Sequence, residues 1–170
     1  MGEIKNIVNP NEKSQICDEI LRALPDWFGV ETSIVDYVQQ VQELPFYAVF
    51  DNEKVIGFVA IKPQTPFAAE ICVMGIFEEY HRQGIGKMLI ECCEAYGREN
   101  KLEFLTVKTL AESRESNSYE KTRRFYLTSG FKPLEVFPLL WDKDNPCLLM
   151  VKNLSRMELE NDSVKRNRLE

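Results

Sequence analysis

The sequence has few of the residues on which zinc chemistry and histidine-dependent hydrolysis rely. It contains one histidine, His81, and five cysteines that form no Cys-x-x-Cys pair. Neither a zinc or other metal site nor a Ser-His-Asp hydrolase is therefore indicated. The cysteines are odd in number and lie in mostly apolar stretches, which indicates small buried side chains rather than a disulfide framework. They are Cys17, Cys72, Cys92, Cys93 and Cys147.

Long apolar runs and an excess of basic residues are also missing. No run approaches the ~18 residues of a membrane-spanning helix, and residues 1–5 lack the pattern of a secretory signal, so we expect a cytoplasmic protein with no membrane partner. Lys and Arg number 21 against 27 Asp and Glu, which gives a net charge of −6. This charge argues against non-specific binding of nucleic acid and suits a cationic small substrate better.

What is present is the composition of an ordinary globular domain. The chain has 170 residues, of which 44% are hydrophobic and 28% are charged. No internal repeat or linker divides it. Because the sequence turns polar near its end, we predict one domain over residues 1–154 and a frayed polar tail over residues 155–170.

The most informative stretch predicts a strand, a turn with two glycines and a helix. Residues 70–77 are apolar on both faces, as in a central strand, and Gly84 and Gly86 follow. An amphipathic face then recurs at helical spacing through Ile85, Met88, Leu89, Cys92, Cys93 and Tyr96. The first N–H groups of a helix lack partners and attract anions, and the glycines would let a pyrophosphate approach the backbone. The alternative is that the glycines serve the turn alone.

Periodicity along the whole chain predicts a mixed α/β (α+β) fold with the order β-α-α-β-β-β-α-β-α-β-β. The predicted helices cover about residues 14–24, 32–43, 85–98 and 117–128, and the strands 4–8, 46–50, 55–61, 70–77, 104–107, 131–139 and 147–151. Ser14 is expected to cap the first helix, and Asn117 the last. Residues 141–146 are predicted to separate the last two strands.

Two nucleotide-binding folds with glycine turns do not fit this order. A Rossmann domain would alternate strand and helix more regularly and place its glycines near the N-terminus. A P-loop requires Ser or Thr after Gly-Lys, whereas Met88 follows Gly86 and Lys87. The glycine turn therefore belongs to neither.

Two segments resemble motifs of the GNAT N-acetyltransferase superfamily. One resembles its pyrophosphate loop, Arg/Gln-x-x-Gly-x-Gly/Ala, with His81 in the first position, and the other resembles its Phe-Tyr-x-x-x-Gly-Phe segment. They are Tyr80-His81-Arg82-Gln83-Gly84-Ile85-Gly86 and Thr122-Arg123-Arg124-Phe125-Tyr126-Leu127-Thr128-Ser129-Gly130-Phe131. The resemblance covers residues 3–152 and implies a mostly antiparallel sheet of about seven strands, splayed at the fourth and fifth.

The same resemblance implies an acyl-CoA-dependent N-acyltransferase that uses acetyl-CoA as co-substrate, and a homodimer is possible. Backbone N–H groups of residues 82–87 are expected to hold the pyrophosphate. Tyr119 stands where the family often has an asparagine that contacts the pantetheine arm. The predicted CoA-binding residues of the loop are His81, Arg82, Gln83, Gly84, Ile85, Gly86 and Lys87.

Acyl transfer to an amine also needs a base, an oxyanion donor and an acid. Glu70 is the one carboxylate within the apolar run 67–77 and is the candidate base, directly or through water, unless it is merely a solvated residue at a strand start. Backbone N–H groups near Met74, Gly75 and Ile76 are candidate oxyanion donors, and Gly75 is a predicted β-bulge. Tyr126 matches the family tyrosine, which implies that it is the general acid; alternatively it is a core aromatic.

The acceptor pocket is expected near Trp27, Phe28 and Trp141, because aromatic and acidic groups suit an amine cation. Three functions stay open on the sequence. The first is acetylation of a small-molecule amine by direct transfer in a ternary complex, and the second is acetylation of a protein or peptide amine. The third is a non-catalytic sensor that binds acyl-CoA.

Overall fold

The computed structural model describes residues 2–155, so the predicted polar tail lies outside the described residues from residue 156 onward. The predicted order of elements is confirmed. The strands are β1 (Glu3–Asn6), β2 (Phe46–Asp51), β3 (Lys54–Thr65), β4 (Ala68–Ile76), β5 (Phe104–Leu110), β6 (Lys132–Asp142) and β7 (Asn145–Asn153). The helices are α1 (Pro10–Arg22), α2 (Glu31–Gln40), α3 (Ile85–Glu99) and α4 (Asn117–Thr128). Within residues 2–155, no helix is long and apolar enough to span a membrane.

All seven strands form one sheet in the order β1-β2-β3-β4-β5-β7-β6. Neighbouring strands are antiparallel except β4 and β5, which are parallel and pair only from Ala68 opposite Phe104 to Ile71 opposite Val107. Beyond this point β4 continues to Ile76 and β5 to Leu110, so the two strands separate and a gap opens between them. The predicted splay of the fourth and fifth strands is confirmed.

A β-bulge interrupts β4 at Cys72. Ala60 of β3 pairs with Val73, and the next residue, Ile61, pairs with Ile71, so Cys72 is the extra residue on β4. A bulge shifts the alternation of side chains by one position. As a result Ile71 packs in the core beneath α3, whereas Val73 packs in the core beneath α1.

The predicted bulge at Gly75 is wrong, and the reason for glycine there is packing. A Cβ at Gly75 would lie 2.8 Å from Cγ2 of Ile20 and 3.2 Å from Cε1 of Phe58. Since contacts this short are not tolerated, only glycine allows α1 to approach β4 so closely. The bulge also places Met74 on the α3 face of the sheet, opposite to the face that carries Glu70.

The sheet is covered by a hydrophobic cluster on each face. Helices α1 and α2 cover one face, with Ile20, Leu21, Phe46 and Phe58 fully buried there. Helix α3 covers the other, where Leu89, Leu105, Met150 and Phe131 are buried and where Tyr126 of α4 packs. The glycine turn that opens α3 and the Phe-Tyr segment of α4 therefore lie on the same side of the sheet.

Two predicted helix caps are wrong by a few residues. α1 begins at Pro10 instead of Ser14, because the Asn9 side chain accepts hydrogen bonds from the first free N–H groups and proline fits the first helical position. α4 is capped by Ser116, the residue before Asn117. The start of α1 therefore moves four residues towards the N-terminus, whereas α4 covers residues 117–128 as predicted and only its cap differs.

The last two strands are longer than predicted. β6 reaches Asp142 and β7 starts at Asn145, so residues 143 and 144 alone make the turn. The Asp142 carboxylate accepts hydrogen bonds from the N–H of Asp144 at 2.8 Å and from the Asn145 amide, which closes the hairpin. A two-residue turn, held by hydrogen bonds to one carboxylate, thus stands in place of the predicted loop over residues 141–146.

A buried ion pair joins α3 to β7. Lys152 pairs with Glu94 and also donates to the carbonyl of Ser129 at 2.6 Å; its side chain is 13% exposed and that of Glu94 is 7% exposed. Lys152→Met would leave the carboxylate buried without its partner, and we expect the free energy of unfolding to fall by about 3 kcal/mol. Urea unfolding measures this, with Lys132→Met as the exposed control. Equal midpoints for the two variants would contradict the prediction.

Candidate active site

The N-terminus of α3 has no side-chain cap. Gly84 is the N-cap residue, at φ +85°, and among the described residues no side chain accepts from the first turn. A Cβ at Gly84 would meet no described atom within 4 Å, so the space in front of the helix is open. The free N–H groups of Ile85, Gly86 and Lys87 therefore face a volume that an anion can enter.

Two side chains of the preceding loop hold its shape. Nε2 of His81 is hydrogen-bonded to the carbonyl of Ile76 at 2.7 Å, and the Gln83 amide donates to the carbonyl of Glu79 at 2.8 Å. Arg82 adopts φ +60°, in the left-handed region. Since the polar atoms of His81 and Gln83 are engaged within the loop, it is the backbone that faces the open space.

The three residues that open α3 differ in role. Ile85 is buried in the core, and the Lys87 side chain is exposed, with Nζ 3.9 Å from Glu91. A Cβ at Gly86 would lie 2.8 Å from the ring of Phe125 on α4. Gly86 therefore serves the contact between α3 and α4, and Gly84 is the glycine that leaves room for an anion.

The edge of β4 beyond Ile71 presents free main-chain groups to the gap. The N–H of Phe77 donates to Ile56 of β3 at 3.0 Å, so by alternation along the strand the N–H groups of Met74 and Ile76 point away from β3. The Ile76 carbonyl is hydrogen-bonded to His81. Of the predicted oxyanion donors, Met74 and Ile76 face the gap, whereas Gly75 faces β3.

Tyr126 lies on α4 beside the gap and is 6% exposed. Its ring packs 5.3 Å from that of Phe125 and 5.5 Å from that of Phe131, between centroids. Burial raises the pKa of Tyr126, and nearby Cys93 and two other tyrosines add to the rise. The phenol is therefore protonated at neutral pH and has a proton to donate.

Glu70 lies on the opposite face of the sheet, at the point where β4 and β5 separate. Its carboxylate forms an ion pair with Lys108 of β5. The Glu70 side chain is 13% exposed and that of Lys108 is 34% exposed. Sequence analysis did not identify Lys108 as a site residue, because the predicted strand ended at residue 107 and β5 reaches Leu110.

Tyr37 of α2 packs against the core on the α1–α2 face of the sheet. Burial raises the pKa of Tyr37 to about 12, and charges on Cys72, Tyr119 and Glu70 contribute. Tyr126 in turn lies within electrostatic reach of Tyr37 and Tyr119. Tyr37 lies within the predicted helix 32–43 and is not among the predicted site residues, so only the structure brings it near Glu70.

Trp27, in the loop between α1 and α2, ties that loop to α4. Its indole N–H donates to Oγ1 of Thr122 at 3.0 Å, and the Tyr119 hydroxyl donates to the Trp27 carbonyl at 2.6 Å. The Trp27 ring also meets His81 edge-on, with centroids 5.6 Å apart. The loop therefore bridges the glycine turn, which follows β4, and α4, which follows β5.

The other two aromatic residues predicted at the acceptor pocket are placed differently. Phe28 packs edge-on against Tyr37 at 6.1 Å between centroids, close to the site. Trp141 lies near the tip of the β6–β7 hairpin and is 45% exposed. The aromatic contacts found within residues 2–155 do not join Trp141 to Trp27 or Phe28.

Comparison with known proteins agrees with this architecture. The model of the acetyltransferase (GNAT) family matches residues 13–131. A protein assigned to the GNAT acetyltransferases from Desulfovibrio desulfuricans superposes with a TM-score of 0.78 at 14% identity, over 91% of this chain and 99% of that one. An aminoglycoside 6'-N-acetyltransferase complexed with coenzyme A gives a TM-score of 0.71 at 18% identity, over 89% and 97% of the two chains.

A third similar structure is the ribosomal-protein-S18-alanine N-acetyltransferase from Escherichia coli, with a TM-score of 0.70 at 15% identity over 91% of this chain and 94% of that one. No curated protein matches the sequence significantly. At these identities the structural likeness establishes the fold, and the family model, which spans most of the chain, establishes the family. The protein belongs to the GNAT family of acetyltransferases, which are acyl-CoA-dependent N-acyltransferases.

Proposed function

We propose that the protein transfers the acetyl group of acetyl-CoA to a primary amine of a small molecule, directly and within a ternary complex. The observation that carries this proposal is the gap between β4 and β5, which has the uncapped N-terminus of α3 at one end and Tyr126 beside it. A donor bound on the α3 face and an acceptor entering from the α1–α2 face would meet there.

The residues around the gap fit acetyl-CoA. The backbone N–H groups of residues 82–87 suit its pyrophosphate, with Gly84 leaving the space, and the free edge of β4 at Met74 and Ile76 suits the amides of the pantetheine arm. Oγ1 of Thr109 is the single buried side-chain nitrogen or oxygen atom of residues 2–155 that lacks a hydrogen-bond partner. It lies on the stretch of β5 that β4 has left, where a pantetheine amide would satisfy it.

Three groups of the protein would remove the amine proton, stabilise the oxyanion and protonate the thiolate. Acetyl-CoA would supply an acyl group activated as a thioester. An alkylamine has a pKa near 10.4, so only about one in a thousand is neutral at pH 7 and a base must remove its proton. Glu70 accepts that proton, directly or through water. The Met74 N–H stabilises the negative charge that develops on the carbonyl oxygen, and Tyr126 protonates the departing thiolate.

The bridge from Trp27 to α4 supports a small acceptor. Trp27 and Tyr119 tie the α1–α2 loop to α4, and such a tie favours an enclosed acceptor site over an open groove. A protein or peptide amine is the second candidate, since the E. coli enzyme of similar structure acts on an alanine of a ribosomal protein. That acceptor would require the bridge to open.

A thiol-release assay with acetyl-CoA tests the function, with polyamines, aminoglycosides, amino acids and basic peptides as acceptors. Calorimetric titration of CoA accompanies it. We expect CoA binding and turnover of a small amine. Turnover of peptides alone would favour the second candidate, and absence of CoA binding would overturn the placement of the pyrophosphate at residues 82–87.

A further inference from the structure

Three charged side chains form a row across the sheet on the acceptor face. Lys62 of β3 lies directly opposite Glu70 in the strand register, and Lys108 of β5 forms the ion pair on the other side. The pKa of Cys72 is raised to about 11, chiefly by burial and then by Glu70, while Lys62 and Lys108 oppose the rise. The row therefore carries two ammonium groups and one carboxylate around one small volume.

Two polar groups of α2 that approach this row are neutral. They are the Tyr37 hydroxyl and the Gln40 amide, whose oxygen lies 3.8 Å from Sγ of Cys72. Glu31, at the start of α2, is held by both terminal nitrogens of Arg22 at 2.8 Å. Arg22 also pairs with Asp18, so that cluster keeps one net negative charge, whereas the row itself has two lysines against one carboxylate.

A surplus of positive charge disfavours a polycationic acceptor. A polyamine or an aminoglycoside would bring several ammonium groups to a row in which one carboxylate attracts them and two lysines repel them. Lys108 has three donors and is partly exposed, so it can bind a second anion while it keeps Glu70. This arrangement is complementary to a molecule that carries both charges.

We infer that the acceptor is a zwitterionic amino acid, whose ammonium group lies at Glu70 and whose carboxylate lies between Lys108 and Lys62. The inference rests on the proposed function and specifies its substrate class. Lys108 is then a specificity residue, because it contacts the acceptor carboxylate as well as orienting Glu70. The surplus charge of the row is neutralised when the acceptor binds.

Steady-state kinetics with matched acceptors tests the inference. The twenty standard amino acids are compared with their carboxamides, in which the amine is kept and the carboxylate is lost, and with spermidine and kanamycin. We expect the best amino acid to exceed its amide in kcat/KM by about tenfold, the value of one charge-assisted hydrogen bond. Spermidine and kanamycin are expected to be poorer than either.

Variants assign this preference to Lys108. Lys108→Met is expected to remove the difference between acid and amide, mainly through KM of the acid, and Lys108→Arg to retain it. Lys5→Met, on β1 at the far edge of the sheet, is the control and is expected to leave the ratio unchanged. Thermal unfolding of each variant confirms that it is folded.

The outcomes separate the inference from the function on which it rests. Equal turnover of acid and amide, or a ratio that Lys108→Met leaves intact, overturns the inference. Turnover of other amines with no amino acid accepted also overturns it, while the acetyltransferase function stands. If CoA does not bind and no amine is acetylated, the proposed function and the inference fall together.

Discussion

Replacing Tyr126 with phenylalanine is expected to lower kcat by about 100-fold or more, the usual contribution of a positioned general acid. The ring and its packing against Phe125 and Phe131 remain, so the affinity for CoA and the melting temperature should change little. The reason is that the departing thiolate loses its proton source. Steady-state kinetics and calorimetry measure the two effects separately.

The control for this substitution is Tyr96→Phe, which removes a hydroxyl from α3. An unchanged kcat in Tyr126→Phe would contradict the assignment of the acid, and Tyr37 and Tyr119 would be tested next. The pH profile gives a second check. Because burial raises the pKa of Tyr126 above its usual value of about 10, the phenol keeps its proton as the pH rises from about 7 to about 9. A fall of kcat in this interval that vanishes in Tyr126→Phe would assign the titration to Tyr126 itself and would contradict the raised pKa.

Gly84→Glu is expected to weaken CoA binding by about 100-fold or more. The new carboxylate would occupy the open space before α3. It would accept hydrogen bonds from the free N–H groups of the first turn and repel the pyrophosphate. A side chain at φ +85° also adds backbone strain. Calorimetric titration of CoA measures the loss of affinity.

Gly84→Gln is the matched control, since it has the same size and the same strain without the charge. We expect it to bind CoA more weakly than the natural protein but several-fold more tightly than Gly84→Glu, a difference that one charge produces. CoA affinity of Gly84→Glu equal to that of the natural protein would place the pyrophosphate elsewhere. Gly86 is unsuitable for this test, because any Cβ there would displace Phe125.

The elements that sequence analysis predicted correctly are those specified by nearby residues. The apolar face of α3 recurs every three to four residues, and the turn before it contains Gly84, so the strand-turn-helix unit could be predicted without its neighbours. The helix starts were less accurate. Several residues near α1 could accept from its first turn, and Asn9 rather than Ser14 does so.

Contacts between distant segments could not be predicted. The bulge at Cys72 depends on how β3 and β4 align, and Gly75 was mistaken for it because its contact with Ile20 is invisible in the sequence. The pairing of Glu70 with Lys108 spans two strands. Such contacts arise from the three-dimensional register of strands and carry no local pattern.

The sequence alone determined the order of elements, the glycine turn before α3 and the family motif around Tyr126, because helix periodicity, glycine turns and short motifs are local properties of the chain. Only the tertiary structure decided which groups share the gap between β4 and β5. It brought Lys62, Lys108 and Tyr37 to Glu70, and it tied Trp27 to α4. The physical reason is that strand register and helix packing set these distances, and both are fixed only when the whole sheet assembles.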